Sequence, residues 1–475
     1  GQINIIATEN ITATGETSGS LPSGVFSQVN FGAVGDAGGI KISSNNLALT
    51  NGGSISATTL GRGNAGAVEI NATGNITFDG ESSRSIPSGV FSQVNPGAVG
   101  NAGGVKIFTS NLTLSNGGRA TSDTLGRGNA GVTNITANGD ISIDGQNSMG
   151  FNSGVSSQVG DGAVGNAGGV TISTNNLTLT NGGGIGASTF SEGNAGIANI
   201  TAKENIIIDG EDSDGFTSGI NSQSNPVAKG DAGGVIISTN NLTLTNGGQI
   251  DASIGGQGNG GSVNITATGD IVFDGQNSEG LRSGATSIVG DSAVGDAGGV
   301  TISTNNLTLT NGGRVSASTL GQGKAGELEI GANALNLDNN AVISSQSEST
   351  FKAGDITLNI ANSLEAKDSE ISTSSTQSSG GNLTIAAGDI RLRGDSDLRT
   401  DINSGAGGGG NIDVTADSVI AFDDSDIFAF AADGRGGNIT LDTPAFFAEN
   451  FTLNSLTAEN TQLLENNNRA DVNAT

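Results

Sequence analysis

The feature that most constrains this chain is an internal repeat of fixed length. The motif (D/N)AGG is followed by an aliphatic residue at Ile40, Val105, Val170, Val235 and Val300, so the copies lie at a constant spacing. A strict 65-residue period of this kind indicates structural units that stack on one another, because a single unit cannot bury its apolar face alone. We therefore expect a continuous stacked array and not a series of separate globules.

Each 65-residue repeat divides into two segments. The motif GNAG or its equivalent follows the first four copies of (D/N)AGG, with its Asn at Asn64, Asn129, Asn194 and Asn259. This division leaves a short segment of about 28 residues and a long segment of about 37 residues, as in arrays built from successive turns. The extra length falls in polar stretches such as GESSRSIP and GEDSDGFT, which are typical of loops that project from a regular body.

The repeat predicts three regions along the chain. Residues 1–325 contain the five 65-residue repeats. Residues 326–453 continue with single segments of about 28 residues each. Residues 454–475 form a C-terminal region without the repeat. Because the sequence begins inside a repeat, we expect the natural chain to extend beyond both ends.

Apolar residues alternate along each segment, and a period of two indicates β-strands. In one short segment the alternating pairs are Val170 and Ile172, Leu177 and Leu179, and Ile185 and Ala187. The stretches between them, NN, NGG and GNAG, contain residues that supply positive φ or side-chain turns at sharp bends. We therefore predict an all-β parallel β-helix, or β-solenoid, with three short strands and about 28 residues per turn.

Comparison of the copies predicts which side chains face the core. One position stays apolar and is expected to point inward, at Val25, Val90, Val155, Ile220 and Ala285. The next position is aromatic in the first two copies and polar in later ones, so it is expected to face outward. The position after that holds a serine in every copy, which predicts a buried hydroxyl bonded to the backbone, at Ser27, Ser92, Ser157, Ser222 and Ser287.

Composition limits the partners of this chain. The sequence has 80 Gly but no Trp, Tyr, His or Cys, so any core must be narrow and thiolate sites are excluded. There are 46 acidic and 18 basic residues, and no basic cluster that would hold a phosphate backbone, which argues against nucleic acid. No apolar run approaches the ~20 residues of a membrane span, which argues against membrane insertion.

Several motifs resemble a known family of exported proteins. They are SGVFSQVNPGAVGNAGG at 88–104, LTLTNGG with ASTLGQG, and ITLDTPAFFAENFT at 439–452 followed by NNNRADVNAT. Together they resemble the repeat shaft of filamentous-haemagglutinin-like two-partner-secretion exoproteins of the cyanobacterial type. The resemblance implies a right-handed β-helix, export through an outer-membrane β-barrel transporter, and a secreted, outer-membrane-associated location at the cell surface.

These observations predict a non-catalytic, extracellular or cell-surface shaft that acts as an adhesin stalk or a matrix fibre. One alternative is a self-assembling extracellular filament, because an uncapped stack presents open strand edges. A second alternative is a carbohydrate-active β-helix enzyme, for which the best local carboxylates are Asp423, Asp424 and Asp426.

One repeated acidic position is a weak candidate for metal binding. Each of its members precedes a glycine, and they are Asp79, Asp144, Asp209 and Asp274. A ladder of loosely bound calcium is one hypothesis. The other, which we favour because alternate segments carry no matching carboxylate, is an Asp-Gly corner in which the carboxylate bonds its own backbone. On this interpretation the protein has no cofactor.

Three aromatic residues near the N-terminus are candidates for surface contact. Phe26 and Phe91 occupy the outward position that is polar in later copies, and Phe31 follows nearby. If exposed, they would form a contact surface for another copy of the chain or for a surface glycan. The alternative is that a projecting loop covers them.

Overall fold

The structure is a computed structural model that describes residues 1–16, 22–402, 408–431, 435–449 and 469–474. Within these ranges the chain is all-β and contains no helix. Two compact units are present, Gly1–Asp251 with Asn277–Glu279, and Ala252–Gln276 with Gly280–Thr475. The regions predicted from repeat length remain a prediction, and most of the C-terminal one, residues 454–468 and 475, lies outside the described residues.

The described part of the first unit contains strands β1 to β22. They are β1 Ile3–Ile6, β2 Asn10–Thr14, β3 Gly24–Phe26, β4 Ile40–Ser44, β5 Asn46–Thr50, β6 Ser54–Ser56, β7 Val68–Ala72, β8 Asn75–Asp79, β9 Gly89–Phe91, β10 Val105–Thr109, β11 Asn111–Ser115, β12 Arg119–Thr121, β13 Thr133–Ala137, β14 Asp140–Asp144, β15 Gly154–Ser156, β16 Val170–Thr180, β17 Gly184–Gly186, β18 Ala198–Asp209, β19 Gly219–Asn221, β20 Val235–Thr239, β21 Asn241–Thr245 and β22 Gln249–Asp251.

The described part of the second unit contains the remaining strands. They are β23 Val263–Ala267, β24 Asp270–Asp274, β25 Gly284–Thr286, β26 Val300–Ser303, β27 Asn306–Thr310, β28 Arg314–Ser316, β29 Leu328–Asp338, β30 Val342–Ser344, β31 Ile356–Lys367, β32 Glu370–Ser372, β33 Leu383–Arg393, β34 Asp397–Arg399, β35 Ile412–Ala421, β36 Ile427–Phe428, β37 Ile439–Asp442, β38 Phe446–Ala448 and β39 Val472–Asn473.

Strands at the same phase of successive segments pair in parallel. In the first unit, β4 pairs with β7 and β7 pairs with β10, so that Ile40 lies opposite Val68 and Val68 opposite Val105. The first two strands of each segment belong to one sheet, here called the first sheet, and the third strand belongs to a second sheet. The second unit follows the same rule, for example in the pairing of β29 with β31 and of β30 with β32. The parallel register predicted from the repeat is therefore confirmed.

The separation into three strands holds only in some segments. Strands β16 and β18 run through both of the first two predicted strands without interruption. Their pairing is irregular between Thr174 and Asn176, where the register of the two strands shifts. A bulge re-aims a strand without ending it, so the NN corner bends the chain inside one continuous strand.

The core consists of aliphatic columns. Val170 and Val235, which the repeat places inside, are 1% and 0% exposed. The inward position at Val90, Val155 and Ile220 is also buried. By contrast, Ile197, directly before β18, is 51% exposed. The strand starts at Ala198, and since side chains alternate from there, Ala198 and Ile200 take the inward sites.

Asparagine side chains join successive segments at the GNAG corner. The Oδ1 atom of Asn101 accepts the backbone N–H of Asn129 at 2.8 Å, and Oδ1 of Asn129 accepts that of Asn166 at 2.9 Å. The same bond connects Asn166 to Asn194. At the adjoining Gly165, φ is 153° and a Cβ would lie 2.0 Å from the Gly128 carbonyl oxygen, so this corner requires glycine.

The projecting loops of the long segments also contact one another. Glu81 Oε1 on one loop accepts the N–H of Ser148 on the next loop at 3.0 Å, although a short segment lies between them in the chain. Glu211 Oε1 accepts the N–H of Ser278 in the same way at 3.1 Å. The loops thus form a second line of contacts outside the sheets.

The repeated serine is buried as predicted in four of the five copies, Ser92, Ser157, Ser222 and Ser287, whereas Ser27 is only half-buried. Ser157 is fully buried, and its Oγ donates to the Gly131 carbonyl at 2.7 Å and accepts the Gly168 N–H at 2.8 Å. The corresponding hydroxyls of Ser92 and Ser222 donate to the carbonyls of Gly66 and Gly196. One small hydroxyl therefore satisfies two buried backbone groups at each of these long segments.

Replacing Ser157 by alanine should lower the free energy of unfolding by about 1–3 kcal/mol, because a buried carbonyl and a buried N–H lose their partner. The amide of Gly168 should exchange faster with deuterium. As a matched control, Ser173→Ala removes a hydroxyl from the outward face of β16 and should change stability by less than about 0.5 kcal/mol. Equal losses from the two variants would show that the buried hydroxyl has no special role.

Candidate functional site

The repeated aspartates form a ladder of hydrogen bonds at the ends of strands in the first sheet. Oδ1 of Asp144 accepts from Thr180 Oγ1 at 2.6 Å and from Asn181 Nδ2 at 2.7 Å, both on the following segment. The other members make the same two contacts, Asp79 with Ser115 and Asn116, Asp209 with Thr245 and Asn246, and Asp274 with Thr310 and Asn311.

This arrangement corrects the expected contact of these carboxylates. They bond side chains of the next segment and not their own backbone, because the parallel register places a hydroxyl and an amide directly beside each of them. The glycine after each aspartate does adopt positive φ, for example 71° at Gly145. Among the residues that the structure describes, no group of three or more acidic side chains is placed to hold a metal ion.

The three carboxylates considered for an enzyme lie in different environments. Asp423 and Asp424 have positive φ, 58° and 68°, at a bend of the chain. Asp426 is only 1% exposed, and its Oδ1 accepts the Asp471 N–H at 2.7 Å. Its own N–H donates to Asp397 Oδ1 at 3.2 Å. Asp426, directly before β36, thus bonds Asp397, the first residue of β34, and Asp471, directly before β39.

Burial raises the pKa of Asp426 to about 9, and the nearby charges of Asp397, Asp471 and Asp424 act in the same direction. The hydrogen bond from the Asp471 N–H opposes this shift. Two cations lie close by, since Arg399 pairs with Asp397 at 3.2 Å and Arg469 pairs with Asp471 at 2.9 Å. Asp426 itself is therefore neutral in the folded protein near neutral pH.

The stability of the second unit should fall as pH rises from about 4 to about 9. Over this window the folded protein keeps a proton on Asp426 that an unfolded carboxyl, with an ordinary pKa near 4, has released. Asp426→Asn is neutral at all these pH values, so the variant should lose this part of the decline in thermal unfolding midpoint.

The control for this experiment is Asp413→Asn, which changes an exposed carboxylate on β35 in the first sheet. It should keep the wild-type dependence on pH. If Asp426→Asn also kept it, the proton would not reside on Asp426.

The aromatic candidates are exposed to different extents. Phe31 is 91% exposed and Phe26 is 39% exposed, while Phe91 is half-buried. Phe26 and Phe91 both lie opposite Ser56 in the second sheet, so the two rings stand in one column with a serine between them. Phe26 and Phe31 remain open to solvent, and the predicted contact surface therefore has two accessible members.

A groove that the sequence interpretation missed lies farther along the second sheet in the first unit. It has a volume of about 190 Å³ and crosses strands β12, β15 and β17. Its walls include Arg119, Asp123 and Gln158, and its floor is formed by Gly184 and Gly186. The signal in the sequence was the pair of glycines, because the equivalent strands of the other short segments in this unit carry larger side chains. The position of Gly184 holds Ser54, Arg119 or Gln249, and the position of Gly186 holds Ser56, Thr121 or Asp251.

Two groups of opposite charge belong to one wall of the groove. Burial raises the pKa of Asp123, although its carboxylate accepts from Ser156 Oγ at 2.8 Å, the Gln158 N–H at 2.9 Å and Gln93 Nε2 at 3.3 Å. Burial likewise lowers the pKa of Arg119, and the charge of Asp123 opposes that shift. Perturbed acid and base groups that meet in a cleft mark a candidate binding site.

The guanidinium of Arg119 is held from two sides. Its Nε donates to the Asn152 carbonyl at 3.2 Å, and its carbon lies 5.4 Å from the centre of the Phe151 ring. Both residues belong to the projecting loop of one long segment. The loop therefore fixes the side chain at the edge of the groove.

Comparison of the chain with models of protein families, with curated proteins and with solved structures finds no match. Within the described ranges the structure also has no helix with the length and apolarity that a membrane crossing requires.

Proposed function

We propose that this chain is the repeat shaft of an exported surface protein, with a non-catalytic structural or adhesive role. The observation that carries the proposal is the parallel pairing of equivalent residues from each segment to the next within both units. Such an arrangement uses most of its apolar side chains for stacking and leaves an outer surface of polar residues. The shaft is an adhesin stalk or a matrix fibre in this proposal.

The architecture proposed is a right-handed parallel β-helix with one segment per turn. Connections between parallel strands of one sheet are right-handed in nearly all proteins, because a right-twisted strand continues into a crossover of that hand. The resemblance of SGVFSQVNPGAVGNAGG and related motifs to filamentous-haemagglutinin-like exoproteins supports the same hand. It also supports export through an outer-membrane β-barrel transporter and a location at the cell surface.

The net charge of −28 is compatible with this role. Like charges distributed along the segments oppose close approach between molecules and keep an extracellular protein dispersed. The repeated carboxylates of Asp79, Asp144, Asp209 and Asp274 accept hydrogen bonds from neutral groups, so no calcium is required for that contact.

A self-assembling filament is the second candidate, and the exposure of Phe31 and Phe26 favours it. Two accessible rings provide an apolar contact that a neighbouring molecule could cover. A carbohydrate-active enzyme has less support, because Asp426 serves as a buried acceptor for the Asp471 N–H.

Cryo-electron microscopy of the purified chain tests the proposal. We expect isolated slender particles whose layers repeat at ~4.8 Å, the spacing of hydrogen-bonded strands. Long fibres that disappear in a Phe31→Ser, Phe26→Ser double variant would support the filament instead.

Globular particles without this spacing would contradict both candidates. Hydrolysis or elimination of an acidic polysaccharide that is lost in Asp424→Ala would contradict the non-catalytic assignment. A matched variant for that assay is Asp413→Ala, which removes an exposed carboxylate from β35.

A further inference from the structure

One glutamine recurs at the same place in four long segments of the first unit, Gln28, Gln93, Gln158 and Gln223, and its side-chain amide bonds the next segment in two of them. Gln93 Nε2 donates to Thr121 Oγ1 at 2.7 Å, and Gln223 Nε2 donates to Asp251 Oδ2. Both partners stand at the same position of the following short segment. Where the next strand carries Thr121 or Asp251 at this position, its side chain therefore holds the amide.

The third copy, Gln158, has lost that partner because Gly186 occupies the corresponding position. A Cβ on Gly186 would lie 2.2 Å from Gln158 Nε2, so the amide occupies the space where the missing side chain would begin. Among the described residues, no hydrogen-bonding group reaches the side-chain amide of Gln158. Its N–H₂ donor and its carbonyl acceptor are both available beside the groove.

Arg119, which also lines the groove, presents unused donors. Its Nε is bonded to Asn152, but within the described part of the chain neither Nη group has an acceptor. The neighbouring carboxylate of Asp123 is already bonded to Ser156, Gln158 and Gln93. A partly buried guanidinium with free N–H groups gains free energy from any ligand oxygen that reaches it.

We infer that this groove binds one neutral sugar residue of a glycan. Hydroxyl groups both donate and accept hydrogen bonds, and the walls offer donors from Arg119 together with a donor and an acceptor from Gln158. The volume of about 190 Å³ lies below the ~300–1,000 Å³ of pockets for drug-sized ligands, so it accommodates a single ring. The groove is open along the surface, which lets a longer glycan extend beyond it.

The electrostatics of the groove favour a neutral ligand. The charge of Arg119 is opposed by the adjacent Asp123, so the wall offers little net attraction to an anion. The chain as a whole carries a net charge of −28, which repels anionic polysaccharides at longer range. An ammonium group on a cationic sugar cannot accept a hydrogen bond from Arg119. A neutral hexose or an N-acetylated hexosamine supplies acceptors without a net charge.

This inference supplies a ligand class for the adhesive role, and it relies on the proposed function only for its biological setting. The groove is made by side chains of three neighbouring strands, so its binding can be tested without knowing how the protein is exported. Particles without layered spacing would overturn the shaft, whereas absence of sugar binding would overturn only the groove.

Saturation-transfer NMR on the complete chain is the experiment, with maltose, cellobiose, lactose and diacetylchitobiose as probes and glucuronate as the charged comparison. We expect at least one neutral sugar to bind and glucuronate to bind more weakly. Gly184→Gln should abolish binding, because it introduces the side chain that Gln249 carries at this position. A Cβ on Gly184 meets nothing closer than 3.9 Å, so the variant should fold normally.

Gln158→Ala removes one donor and one acceptor and should weaken binding about tenfold. Gln223→Ala is the matched control, since it removes the same side chain from the next long segment, outside the groove, and should leave the affinity unchanged. Thermal unfolding midpoints show whether each variant is folded. No binding by any neutral sugar, stronger binding of glucuronate, or full binding by folded Gly184→Gln would each overturn the inference.

Discussion

The structure depends on the parallel register that places each residue on its counterpart in the next segment. In this register the backbone N–H and C=O groups of one segment are satisfied by the next, so the ladders continue from segment to segment without disulfides. Ile42, Ile70 and Ile107 lie opposite one another, and each is completely buried. A narrow core of this kind needs few large side chains, which explains how a chain with no Trp or Tyr forms extended sheets.

The same register determines the behaviour of polar side chains. A residue that repeats is brought beside its own copies, so side chains that can bond to their own kind suit the corners. Asparagine has both a donor and an acceptor, and amide-to-amide bonds connect Asn176, Asn205 and Asn241 in sequence. Two ionised carboxylates cannot bond each other, because neither has a donor. Asp144 accordingly meets a threonine and an asparagine, Thr180 and Asn181, in the following segment. Where acidic side chains do meet, beside Asp426, the pKa of that buried carboxyl rises to about 9.

A candidate binding site occurs where the repeat is interrupted. Gly184 and Gly186 remove two outward side chains from one short segment, and the groove that results is lined by unused hydrogen-bonding groups of Gln158 and Arg119. The scaffold is otherwise unchanged there, since Val155 and Ile185 remain paired and buried. A repetitive protein can therefore acquire a site by deletion of side chains, without any change in the pairing of its strands.

The sequence by itself determined the all-β character, the segment lengths, the parallel register and the inward positions of Val170, Val235 and Ser157, because each of these is a property of the period and of its alternation. Only the tertiary structure decided which groups meet across segments, since contacts between side chains of neighbouring segments depend on atomic register and rotamer and not on the pattern. It placed the carboxylate of Asp144 on Thr180 and Asn181, buried Asp426 against Asp471, and left Ile197 exposed. In the sequence, the groove beside Gly186 is marked only by two glycines. Only the structure shows that the side-chain amide of Gln158 occupies the space beside Gly186.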